Sequence, residues 1–95
     1  MTDRQAYIDK LKAKLDEWNA DVDKFEAKAQ SASADAQVKY HEQLAHLREK
    51  QSEASARLHE LRSEGGSAWE EIKEGASRAA DALGEALKKA KEKFE

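Results

Sequence analysis

The chain has 95 residues, no cysteine, no proline, 39% charged residues and a net charge of −3. That length holds one domain at most, and the lack of cysteine excludes a disulfide framework or a thiolate metal site. Nearly balanced charge gives no broad electrostatic attraction to nucleic acid. Ala, Glu, Lys, Leu and Arg fill 56 of the 95 positions, a bias typical of coiled coils and long helices. Leu, Ile, Val and Phe total only 14, a low share that is also found in disordered chains. The two cases differ in whether the large apolar residues are scattered or placed.

They are placed. The first run is Ile8, Leu11, Leu15, Trp18, Val22, Phe25, and its phase continues through Ala29, Ala32 and Ala36. Steps of three and four make a heptad seam along one helix face. A second seam, Tyr40, Leu44, Leu47, Gln51, Ala54, Leu58, Leu61, is one residue late relative to the first. A third runs Trp69, Ile72, Ala76, Ala79, Leu83, Leu87, Ala90, Phe94. Strand alternation fits none of them, so the spacing predicts an almost wholly helical chain.

The boundaries carry their own signals. Thr2 followed by Gln5 predicts a capping box at the start. Gly65-Gly66 is the one strong breaker, and Ser67 with Glu70 predicts a second capping box behind it. Acidic Glu70, Glu71 and Glu74 then lie at the positive end of the third helix, and Lys88, Lys89, Lys91 and Lys93 at its negative end. The pairs Asp35–Lys39, Glu53–Arg57, Glu74–Arg78 and Glu85–Lys89 have favourable helical spacing.

The joint at 27–36 (AKAQSASADA) decides the architecture. It can turn, with Ser31, Ser33 or Asp35 capping a second helix. It can also continue, because half of it is alanine, the best helix former. Phe25 with Tyr40, Val22 with Leu44, Trp18 with Leu47 and Leu11 with Ala54 share a nearly constant position sum, which marks antiparallel pairing about Ala32-Ser33. A hairpin within one chain satisfies that pairing, and so do two long helices crossing as a dimer. The absence of a breaker favours the long helix. The expected fold is all-α, with a helix over about 3–63 and a second over about 67–94 folding back as an antiparallel coiled coil. The alternative is an intramolecular three-helix bundle with a turn near 30–35. Either way residues 1–95 form a single helical coiled-coil domain, broken at 65–66.

Few side chains suggest chemistry. His41, His46 and His59 lack the Glu-x-x-His spacing of a di-iron bundle, and no serine lies in a G-x-S-x-G elbow. Gly65-Gly66-Ser67 is not a phosphate loop. No catalytic, cofactor-binding or metal-binding residue is assigned, and no cofactor is expected. Gln51 interrupts the second seam, either as a buried register-setting residue or as a solvated edge position. The residues assigned a role are those of the packing seams: Ile8, Leu11, Leu15, Trp18, Val22, Phe25, Tyr40, Leu44, Leu47, Leu58, Leu61, Trp69, Ile72, Leu83, Leu87 and Phe94.

The segments Lys10–Ala29 (KLKAKLDEWNADVDKFEAKA) and Gly65–Gly75 (GGSAWEEIKEG) resemble a family of short bacterial coiled-coil proteins loosely labelled as stress-response proteins. The motifs that carry the resemblance are Leu15-Asp16-Glu17-Trp18-Asn19-Ala20 and Trp69 after the small-residue break. The resemblance spans nearly the whole chain and implies a stress-associated role without catalytic residues. The resulting expectation is a non-enzymatic, homo-oligomeric coiled-coil protein of the cytoplasm. It would associate with itself as an antiparallel homodimer or higher oligomer, or with partner helices, and not with nucleic acid. The alternative is a membrane-surface binder acting through the amphipathic helix 67–94. No signal peptide or membrane span is read in the sequence.

Overall fold

The computed structural model describes residues 3–94. The regular elements among them are three α-helices, α1 (Asp3–Gln30), α2 (Ala34–Ser63) and α3 (Trp69–Phe94). Thr2, the expected first cap, lies outside the described residues. The helices run up, down and up in a bundle measuring 50 × 20 × 18 Å. Contact of Tyr7 with Trp69 and of Phe25 with Phe94 sets α1 parallel to α3, and contact of Phe25 with Tyr40 sets α1 antiparallel to α2.

The continuous helix over 3–63 is corrected to a hairpin. Helical bonding ends at Ser31-Ala32-Ser33. Ser33 is the N-cap of α2, with φ −61° and ψ 160°, and its Oγ accepts from the Ala36 N–H. Ser31 Oγ donates to the carbonyls of Ala27 and Lys28 at the end of α1. Gln37 Nε2 donates to the carbonyls of Gln30 and Ala32. Both helix ends thus find partners for backbone groups that a helix terminus leaves open. No described residue has a positive φ. The reversal uses polar side chains in place of a left-handed glycine, which is why it lacks a breaker.

The second turn falls where Gly65-Gly66 predicts it, with a different cap. The Ile72 N–H bonds to the Ala68 carbonyl, so Ala68 stands at the N-cap position and α3 begins one residue later than Ser67 would set it. Glu64 closes the turn instead, its Oε1 accepting from the Gly66 N–H at 2.7 Å. Of the helical ion pairs, Glu74–Arg78 forms at 2.9 Å, while Arg57 turns to Glu60 rather than Glu53.

All three seams point inward. Ile8, Leu11, Leu15, Val22 and Phe25 of α1, Leu47, Leu58 and Leu61 of α2, and Trp69, Leu83 and Leu87 of α3 are buried in one cluster. Trp18, Tyr40, Leu44, Ile72 and Phe94 are partly buried against it. α3 uses a wider stripe than its seam implies, because Ala80 and Ala86 are buried as well. A helix that touches two neighbours needs about three apolar positions per heptad instead of two. Among the described residues Val38 is the exposed large hydrophobic. The three seams close on one another within one chain.

Candidate functional site

Helix association accounts for what the side chains converge on, and it is built in three tiers along the bundle. The tier holding the 64–68 turn is closed by Tyr7 and Trp69, edge to face at 5.9 Å between centroids. Lys73 lies over both rings, 4.8 Å from Tyr7 and 5.5 Å from Trp69, and Arg4 stands 5.0 Å from the Trp69 ring. These cations keep their charged heads at the surface while covering aromatic faces.

The opposite tier, at the 31–33 turn, is closed by three rings from three helices. Phe25 of α1 meets Tyr40 of α2 at 5.1 Å and Phe94 of α3 at 5.6 Å, and Tyr40 stacks on Phe94 at 4.2 Å. Each seam therefore contributes its terminal aromatic to one cluster.

The middle tier is polar on one side. Gln51 Nε2 donates to Asn19 Oδ1 at 2.6 Å across α1 and α2, and Arg48 Nη1 donates to Gln51 Oε1 at 2.9 Å. Arg48 Nη2 reaches Asp23 at 3.3 Å and also pairs with Glu26. The Glu26 carboxylate, accepting from Arg48, raises the guanidinium pKa above its ordinary value, with Asp23 adding to it against the lowering effect of desolvation. The cation is charged at any physiological pH. Gln51 is half-buried and bonded on both sides, which places it as a register lock rather than a solvated edge. No buried side-chain polar atom among the described residues lacks a partner.

On the other side of the middle tier, Trp18 of α1 lies against Gly84 of α3. Further along, Lys91 Nζ reaches Asp21 Oδ2 at 3.4 Å. The parallel α1 and α3 complement each other in charge. Lys10, Lys12 and Lys14 lie at the end where α3 carries Glu70, Glu71 and Glu74, and Asp21 lies where α3 carries Lys88 and Lys91.

All sixteen seam residues belong to the core or its margin. Asn19, Arg48, Gln37 and Gly84 carry specific contacts that apolar spacing does not single out. His41, His46 and His59 are exposed. No group of three or more His, Asp or Glu residues that could hold a metal occurs among the described residues. Among the described residues no helix is long and apolar enough to cross a membrane. The apolar stripe of α3 faces α1 and α2, so membrane contact through that stripe would require α3 to leave the bundle. Comparisons with protein families, with curated proteins and with solved structures find no match for this chain.

Proposed function

We propose that the protein is a non-enzymatic helix-association protein whose heptad seams, closed on one another within one chain, bind a second copy of itself or a partner helix when the bundle opens. The observation that carries this reading is the Asn19–Gln51–Arg48 ladder with Asp23 and Glu26. Polar residues placed beside an apolar seam select register and partner at some cost in stability. The resemblance of the two Trp-centred motifs adds stress-associated synthesis in a bacterial cytoplasm to the proposal.

Light scattering during size-exclusion chromatography, from micromolar to millimolar concentration, tests it. The expected result is a dimer that gains population with concentration, and Arg48→Ala should weaken it. A monomer over the whole range, with no partner helix recovered from stressed source cells, overturns it. Co-sedimentation with anionic vesicles tests the membrane-surface alternative. The buried α3 stripe predicts no pelleting by vesicles at low salt, and pelleting that needs α3 would favour the alternative.

A further inference from the structure

The α1–α2 turn keeps part of the helical bonding. The Ser31 N–H still bonds to the Ala27 carbonyl, four residues back, so helical bonding runs into the turn itself. The Ala32 N–H bonds to the Ala29 carbonyl, one 3₁₀ step. At Ser33 φ is −61°, the helical value, and only ψ, at 160°, departs from it. No residue of the turn is Gly or Pro, and no described residue has a positive φ. The groups that hold the bend all have a partner ready in a straight helix. Gln30 and Ala32 carbonyls, now taken by Gln37 Nε2, would accept the Ala34 and Ala36 N–H groups.

We infer that the 31–33 turn is a hinge, and that its straightening, with Ser33 ψ moving from extended to helical, joins α1 and α2 into one helix of roughly 90 Å at 1.5 Å per residue, exchanged between two copies. This rests on the association reading above and names its partner as a second copy of this chain. The occupant of the seam that α1 vacates is set by what that seam demands. It must present Trp18 to Gly84, Asn19 to Gln51, Asp23 and Glu26 to Arg48, Asp21 to Lys91 and Phe25 to the Tyr40–Phe94 pair. α1 of another copy meets every one of these requirements, charge for charge and ring for ring. α3 stays with its own α2, with which it makes the most extensive contact. The Ala-rich flanks 27–36 then cross at the two-fold axis, where small side chains allow close approach. Exchange of an identical element is a low-cost route to a dimer because no new interface has to be made.

The test uses the full chain, which has no cysteine of its own. Glu17→Cys with Glu53→Cys, both at exposed positions, carries two spin labels. The labelled chain is diluted into excess unlabelled chain, concentrated, warmed and cooled, and the dimer is isolated. In the bent form the two positions lie on neighbouring helices of a bundle 20 Å wide, so the intrachain distance is short. In the exchanged dimer it should be roughly 54 Å, 36 residues along one helix. Ser33→Ala removes the cap that exists only in the bent form and should raise the dimerisation constant roughly 30-fold, one cap being lost from each of two hinges. Insertion of Gly-Gly between Ala32 and Ser33 should lower it. A dimer that keeps the short distance overturns the exchange while leaving the association reading intact. A Ser33→Ala chain that keeps its helicity and dimerises no more than the parent also overturns it. A chain that never dimerises in any of the three forms overturns the exchange, and if no partner helix is recovered either it overturns the association reading as well.

Discussion

Gly84 lies under the indole of Trp18, so close that a methyl group there would stand 2.7 Å from Cζ2 and 3.1 Å from Cη2 of the ring. Gly75, nine residues earlier on the same helix, has nothing within 4 Å of such a methyl. Replacing a helical glycine by alanine contributes about 0.5–1 kcal/mol of stability when the site is open. Gly75→Ala should therefore raise the melting temperature. Gly84→Ala should lower it, with a net loss of about 1 kcal/mol, because the overpacking cost of about 1–3 kcal/mol exceeds the propensity gain. In a Trp18→Ala background the sign of Gly84→Ala should reverse. Thermal unfolding of the four chains checks this, and a sign that does not change would mean the indole is not the obstacle.

The polar ladder between α1 and α2 should contribute modestly to stability. Arg48 and Glu26 side chains are 39% and 37% exposed, so solvent screens the pair. Arg48→Ala should cost about 0.5–1 kcal/mol in low salt and less in 0.5 M salt. Urea unfolding with a Glu26→Ala double-mutant cycle measures the coupling; a loss unaffected by salt would point to packing of the Arg48 stem instead.

Two aliphatic residues nine positions apart on α2 should behave in opposite ways. Leu47 is fully buried and Val38 is 62% exposed. Leu47→Ala should cost about 2–5 kcal/mol, a large part of the stability of so small a domain. Leu47→Glu should abolish helicity outright, since it buries an unpaired charge. Val38→Ala should stay within about 0.5 kcal/mol of the parent. Circular dichroism during denaturation separates these outcomes, and a large effect at Val38 would reveal an interface that covers it.

The ring cluster at the hairpin end links all three helices through the last residues of α3. Phe94→Leu keeps apolar area and loses the stack on Tyr40 and the edge contact with Phe25. It should cost about 0.5–1.5 kcal/mol per aromatic pair lost. Near-ultraviolet dichroism from Tyr40 should fall while far-ultraviolet helicity stays close to the parent's.

Much of this molecule was legible in its sequence. Heptad spacing identified the interior, from Ile8 to Phe94, because a helix exposes the same face every three and four residues wherever it packs. Gly65-Gly66 marked one turn, because few other residues end a helix so plainly. The pairing of Phe25 with Tyr40 followed from the phase of two seams. Gly84 and Asn19 were not legible as contacts, because a close approach and a hydrogen bond between helices depend on rotation about the helix axes, which spacing along one chain does not specify.

The joint at 27–36 shows where the sequence ends and the tertiary structure begins. Alanine spacing and the missing breaker were compatible with a continuous helix and with a bend, since local propensity differs little between them. The tertiary structure chose the bend, through Ser31, Ser33 and Gln37 satisfying the open helix ends and through one chain's three seams closing on each other. The sequence by itself determined that the chain is helical, where its apolar faces lie and that the first two of them pair antiparallel. Only the tertiary structure decided that the partner of the first seam lies in the same chain, because a bend at 31–33 brings α1 and α2 together where helix propensity alone expresses no choice.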